Sequence, residues 1–213
     1  MNNRVGHMAE QIRAFIAIEL DETHHRALAD LQARLKRELA AAKTAGSATA
    51  QYVRWVAPEN IHLTLKFLGD VEPGRLPDLQ RAVADACAGI ALFTLTIGGA
   101  GAFPDTRRPN VLWVGIGGDV ERAVTLAQKI DEACGALGFA REERAFSPHL
   151  TLGRVKRDAK PNDRSFIGEM LVHAKIGALG ELRVKRVSVM KSVLTPGGSV
   201  YTQLAAVEFS ENV

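Results

Sequence analysis

Aromatic residues are scarce in this 213-residue chain: two tryptophans, two tyrosines and eight phenylalanines make up 6% of it. That is too little for a long stacking platform of the kind that tracks single-stranded nucleic acid. Cysteine is scarcer still. Cys87 and Cys134 both fall in segments with a helical pattern, which excludes a disulfide-stapled miniprotein and leaves two free, buried, structural thiols as expected in a reducing cytosol. No apolar run reaches the ~18 residues of a membrane span. The longest, Ile90 to Phe103, is broken by Thr94, Thr96 and Gly98-Gly99, and Phe15 to Ile18 is too short for a signal peptide. A soluble cytoplasmic protein is expected. Nor does charge of one sign dominate: 27 Lys plus Arg against 24 Asp plus Glu leave +3, which suits a small anionic ligand but not wrapping around a long duplex.

What is present is globular. With 46% hydrophobic and 24% charged residues the chain can bury a sizeable core, as one large domain or two lobes. Gly6-His7-Met8 resembles a cloning junction, so residues 1–11 are expected to be disordered or partly vector-derived, with the fold in 12–210. Alternation and helical spacing predict strands at Arg13–Leu20, Val53–Val56, Ile61–Leu68, Leu92–Ile97, Val111–Ile116 and His149–Val155. Two more, Leu182–Leu194 and Val200–Phe209, flank a Pro196-Gly197-Gly198 turn. Helices are predicted from Glu22 to about Lys43, Pro77 to about Ala88, Asp119 to Leu137 and Asp163 to Val172. Gly46–Ala50 reads as a small-residue break and Gly98–Asn110 as a loop. This mixed order favours an α+β fold with antiparallel sheets. Two halves, each with a helix before and after a central strand, point to an internal duplication.

The duplication is visible in four residues. His62-Leu63-Thr64-Leu65 recurs as His149-Leu150-Thr151-Leu152, 87 positions later; chance would produce such a repeat in roughly a few chains per thousand. On a strand, His and Thr share one face while the leucines share the other. The leucines anchor each strand to a core, and a pseudo-twofold axis between the halves would bring two His/Thr pairs into one cleft. Imidazole titrates near neutral pH, so one ring can accept a proton while the other donates. Threonine hydroxyls can hold non-bridging phosphate oxygens. That set suits metal-free in-line displacement at a phosphodiester: one His activates water and the other protonates the leaving oxygen. A lone strand histidine is usually structural, and threonine is simply a good strand former; it is the pairing that favours chemistry. Zinc is disfavoured, because no third His, Cys or carboxylate stands at ligand spacing beside either motif.

Twin motifs in a chain of this length resemble the 2H phosphoesterase superfamily. The flanks Arg54-Trp55-Val56, Pro58 to Gly69 and Phe146 to Val155 are similar to those of the RNA 2′,3′-cyclic phosphodiesterases, also called 2′-5′ RNA ligases, as are Arg13 to Ile18, Gly101 to Pro104 and the closing Pro-Gly-Gly with Tyr201. The resemblance spans roughly Arg13 to Phe209. It implies two pseudo-symmetric lobes, each an antiparallel sheet with helices outside, around a central cleft. It also implies hydrolysis of a terminal 2′,3′-cyclic phosphate to a 2′-phosphate, with His62 as proton donor, His149 as proton acceptor and no cofactor. The two motifs themselves are identical, so the division of roles rests on the family alone. The implied partner is RNA with a cyclic phosphate end, or a small cyclic nucleotide, acted on by a monomer. Alternatives are the reverse reaction, 2′-5′ ligation, and a non-catalytic module that binds RNA ends.

Further residues are candidates for substrate binding. Arg154, two beyond Leu152, and Lys66, two beyond Thr64, are placed to reach a phosphate, and Arg54 to reach the cleft. Arg107 and Arg108 sit on a basic loop that is solvated or contacts RNA. Among the aromatics, Phe15, Trp55, Phe146 and Tyr201 are candidates to stack a base, whereas Trp113 is expected in the core. His24 and His25 are expected on a helix surface and His173 near a helix end. Gly98 to Gly101 lacks the Lys-Ser/Thr ending of a phosphate-binding loop.

Overall fold

A computed structural model of the chain describes residues 11–41, 49–196 and 198–210. The expectations for the N-terminal ten residues, for most of the Gly46–Ala50 break and for Gly197 in the closing turn lie outside the described residues. In chain order the elements are β1 (Ile12–Glu19), α1 (Glu22–Ala41), β2 (Val53–Trp55), β3 (His62–Val71), α2 (Leu76–Cys87), β4 (Phe93–Phe103), β5 (Val111–Gly118), α3 (Val120–Ala136), β6 (His149–Val155), α4 (Pro161–His173), β7 (Ala178–Val184), β8 (Arg186–Thr195) and β9 (Gly198–Glu208).

The strands form one antiparallel sheet in the order β7-β4-β5-β6-β3-β1-β8-β9, with β2 pairing to β6. The expected α+β antiparallel architecture is observed, and so is its internal symmetry: β1-α1-β3-α2 corresponds to β5-α3-β6-α4. The halves meet at the centre of the sheet through the motif strands, whose only backbone pairing is Leu63 with Leu150.

One face of the sheet carries the core. Ile16 and Ile18 of β1, Leu63 and Leu65 of β3, and Leu150 and Leu152 of β6 bury against Leu28, Leu31, Leu35 and Leu39 of α1, Leu79 and Val83 of α2, Leu126 and Ile130 of α3 and Ile167 and Leu171 of α4. The helical residues recur every three or four positions, so each helix presents one apolar stripe. Asp21 caps α1, its carboxylate accepting from the His24 amide at 3.0 Å. The opposite face of β1 holds a separate small cluster of Phe15, Ala17 and Met190, with Tyr201 against it.

The helices cross between halves. Helix α1 packs on β7 and α4, whereas α3 packs on β3 and α2. From α1, the buried Gln32 amide donates to the carbonyls of Val56 and Leu152 at 2.8 and 2.9 Å, tying it to the second motif strand.

Three expectations need correction. The glycine-rich stretch after Ile97 is not loop: β4 runs to Phe103, because a strand lacking side chains at Gly98 and Gly101 can lie against Gly177 and under the Trp113 ring. Leu182 to Leu194 is not one strand. The chain breaks at Lys185 as it leaves the edge beside β4 for the opposite half beside β1, giving β7 and β8. His24 is buried, its Nδ1 2.7 Å from the Asp21 carboxylate and its ring against Gly180.

Candidate active site

Both motif strands bury their leucines, so His62, Thr64, His149 and Thr151 share the opposite face. The antiparallel pairing of Leu63 with Leu150 sets the register, which puts His62 across from Thr151 and Thr64 across from His149. Each half therefore offers its histidine to the other half's threonine. Beyond that single pair the strands part, and β2 takes the place of β3 beside β6.

The two imidazoles are held alike. His62 Nδ1 is 2.9 Å from the Asn60 carbonyl and His149 Nδ1 is 2.7 Å from the Ser147 carbonyl, in both cases two residues earlier. A carbonyl only accepts, so Nδ1 carries the proton in each ring and Nε2 is the atom free to exchange one. An aromatic ring supports each imidazole: Phe15 of the adjacent β1 stacks on His62 at 4.6 Å, and Phe103 of β4, one strand beyond β5, meets His149 edge-on at 4.9 Å. Tyr201 adds an edge contact to His62 at 5.2 Å. Burial under these rings pulls the His62 pKa below the usual imidazole value, while the Asn60 carbonyl and the Glu19 charge pull it back up.

Past the threonines both strands bulge. On β3, Thr64 pairs with Ala17 but Lys66 with Ile16, so Leu65 is the extra residue and the alternation shifts by one. Lys66 thereby joins the helix side, 5% exposed, with its ammonium 2.5 Å from Asp131 of α3 and 2.7 Å from the Ala140 carbonyl. Against expectation it lies off the cleft and is not among the cavity-lining residues. The cleft position belongs to Phe67, 66% exposed. On β6 the same shift falls between Thr151, paired with Trp113, and Gly153, paired with Leu112. Arg154 therefore faces the cleft although simple alternation would turn it away, and Gly153 occupies the equivalent of Lys66, where β2 packs so close that a Cβ would meet it at 3.1 Å. Phe67 and Arg154 are counterparts.

A cavity of about 780 Å³ opens along this face, lined by His62, Thr64, Thr151, Phe67, Tyr201 and Arg154 among others. Arg54 pairs with Arg154 across β2 and β6, and both reach it. Arg13 and Lys36 complete four cations, with no carboxylate among the described lining residues. Trp55 lines the cavity beneath Lys36, whose ammonium is 5.6 Å from the ring centre. Phe15 also borders it but is 3% exposed, so it supports the imidazole and offers no free face to a base. Arg107 and Arg108 lie away from the lining, their amides bound to Asp105, and Phe146 packs on the core. Trp113 pairs with Thr151 on the cleft side of β5 and meets the Phe103 ring at a tilt of 40°, rather than joining the main core. Sequence reasoning missed Arg13, Lys36 and Phe67. Arg13 alternates with Phe15 and was within reach of a period-2 reading; Phe67 was hidden by the bulge.

His62, Thr64, Thr151 and four converging cations line the cavity, and His149, which is not among the lining residues, stands on the same strand face. Together they make a set suited to handling a phosphate ester. A family model described as LigT-like phosphoesterase matches residues 18–113 and 116–201. The chain belongs to this family. An RNA 2′,3′-cyclic phosphodiesterase of Methanothermobacter thermautotrophicus is 38% identical over 91% of this chain and 97% of its own length. One of Thermotoga maritima is 30% identical over 93% and 96%. The fold is likewise that of TT0787 from Thermus thermophilus (TM-score 0.71, 23% identity, 95% of this chain and 100% of that one). It is also that of Escherichia coli LigT (TM-score 0.69, 24% identity, 94% and 99%).

Proposed function

We propose that residues 12–210 form a single bilobal enzyme that hydrolyses the 2′,3′-cyclic phosphate at an RNA end to a 2′-phosphate. The observation that carries the reading is the pair of imidazoles, each fixed by a backbone carbonyl at Nδ1 and each across from the other half's threonine. Water attacks phosphorus in line with the 3′ oxygen. His149 Nε2 takes the proton from water as the new P–O bond forms. The P–O3′ bond breaks, and His62 Nε2 gives its proton to O3′. Thr64 and Thr151 donate to the non-bridging oxygens as charge builds there. The anionic phosphate, entering between the rings, restores the positive form of His62 that burial alone disfavours. Product release and exchange with solvent reset both histidines.

Arg154 and Arg54 hold the terminal phosphate and the next phosphodiester. Arg13 and Lys36 extend the cationic lining, while Phe67 and Tyr201 pack the terminal base. The test is turnover of 2′,3′-cyclic AMP with EDTA present. His62→Ala and His149→Ala should each lower kcat by about 10²- to 10⁴-fold, the usual worth of a general acid or base. Binding of the cyclic nucleotide with no product from the unaltered protein would contradict the reading.

A further inference from the structure

The two motifs are identical, and so are the hydrogen bonds at Nδ1, yet the two histidines must do opposite things with a proton. The cross-strand neighbours differ. On β1, Ala17 stands beside Thr64 and Glu19 beside His62. On β5, the equivalent places are Trp113 beside Thr151 and Gly115 beside His149. One histidine has a carboxylate at its side, and the other has a residue without a side chain.

The carboxylate is held in place. Glu19 Oε1 accepts from Ser188 Oγ of β8 and, at 2.7 Å, from Gln203 Nε2 of β9, which also donates to Ser188 at 2.9 Å. Ser188 is fully buried and the Glu19 side chain is 30% exposed, so the charge sits where water screens it only partly. The nearest cation to it is Arg186, with Nε 4.0 Å from Oε1 and Nη1 shared with Glu208 at 3.7 Å. Around His62 itself the packed groups are the rings of Phe15 and Tyr201 and the Asn60 carbonyl, and the charged residue of the paired strand is Glu19, its cross-strand partner, which raises the imidazole pKa through charge alone.

We propose that Glu19, fixed by Ser188 and Gln203, is the positioning residue that makes His62 rather than His149 the proton donor. The inference rests on the cyclic phosphodiesterase reading above and deepens it. Glu19 does not touch the substrate; its charge favours the imidazolium that must protonate O3′. The effect opposes the burial that disfavours that cation. His149, beside Gly115, has no such neighbour on β5 and is suited to accept the proton of water.

Glu19→Gln keeps the shape and removes the charge, and it tells the two roles apart by sign. A donor whose pKa falls is lost above its pKa, whereas an acceptor whose pKa falls is gained below it. With His62 as donor, kcat/KM of Glu19→Gln falls about 3- to 10-fold above neutral pH, for a shift of roughly half to one pH unit, and is unchanged in the acid range. Glu19→Asp, which keeps the charge, restores most of the alkaline activity. NMR titration of the imidazole carbons in the same proteins should show His62 moving to lower pH while His149 stays. A gain of activity on the acid side would reverse the roles. Equal loss at all pH values with an unmoved His62 titration would overturn the inference and reduce Glu19 to a structural residue. The titration reads out even if cyclic nucleotide is not turned over, so a failure of the activity reading remains separate.

Discussion

At the scale of single residues, the bulge after each threonine decides which side chains face the cleft. It removes Lys66 from the cleft and installs Phe67 and Arg154. Lys66→Met should therefore leave kcat/KM within about twofold, whereas Phe67→Ala, losing a base-stacking face worth roughly 1–3 kcal/mol, should raise KM by about 5- to 160-fold with kcat little changed. Steady-state kinetics on an oligonucleotide with a cyclic end checks both. The buried lysine has a different task, seen in its partner. Burial pushes the Asp131 carboxyl upward in pKa, but hydrogen bonds from Lys66, Arg141 and the Glu142 amide outweigh it and hold the carboxyl below its ordinary value. A carboxylate with a lower pKa folded than unfolded stabilises the fold above its unfolded pKa, and this is lost as pH falls below about 4 toward the folded value. Asp131→Asn, leaving the Lys66 ammonium buried beside a neutral amide, should cost about 3 kcal/mol at pH 7. Denaturant midpoints taken from pH 7 to pH 2 should fall less steeply in the variant than in the unaltered protein.

At the scale of elements, helix exchange between halves is what holds the motif strands in register. The Gln32 amide donates to two carbonyls, one just after β2 and one in β6, and so pins α1 to this pair of neighbouring strands. Gln32→Leu should destabilise the fold by about 1–3 kcal/mol through the Val56 carbonyl it strands, since the Leu152 carbonyl still accepts from the Val56 amide at 2.9 Å, and this is read as a lower denaturant midpoint at unchanged slope. The sequence made most elements legible because their signals are local. The four-leucine stripe of α1 and the alternation in His62–Leu65 need no knowledge of the rest of the chain. The paired histidines were legible for the same reason, as both lie on strands of recognisable period. What was hidden depends on partners distant in sequence. The Leu65 bulge arises from pairing with β1, the reach of β4 to Phe103 from Trp113 filling the space above Gly101, and the division of β7 from β8 from a change of sheet neighbour at Lys185. The Asn60 and Ser147 carbonyls that fix both imidazoles belong to the backbone and leave no compositional mark.

At the scale of the whole molecule, a nearly neutral chain concentrates its useful charge in one place. Four cations line the cavity with no carboxylate among the described lining residues, while several cations elsewhere pair with acids, as at Arg26–Glu22 and Arg81–Asp78. The scarcity of aromatics carries the same meaning, since one terminal nucleotide needs one or two rings rather than a platform. Among the described residues no helix is long and apolar enough to cross a membrane. Both cysteines are free and buried within the helix layer, and burial pushes each thiol up to about 11. At pH 8 a disulfide reagent should label Cys87 and Cys134 only as fast as the fold opens, and at once in denaturant; fast labelling of the native protein would contradict the packing of α2 on α3.

In the proposed reaction two half-related strands supply a proton donor and a proton acceptor to one cyclic phosphate, and the P–O3′ bond is the one that breaks. Incubation of the unaltered protein with 2′,3′-cyclic AMP in EDTA, followed by phosphorus NMR, measures this directly. The account predicts conversion to the 2′-phosphate alone. A 3′-phosphate product, or a cyclic phosphate left intact after long incubation, would contradict it.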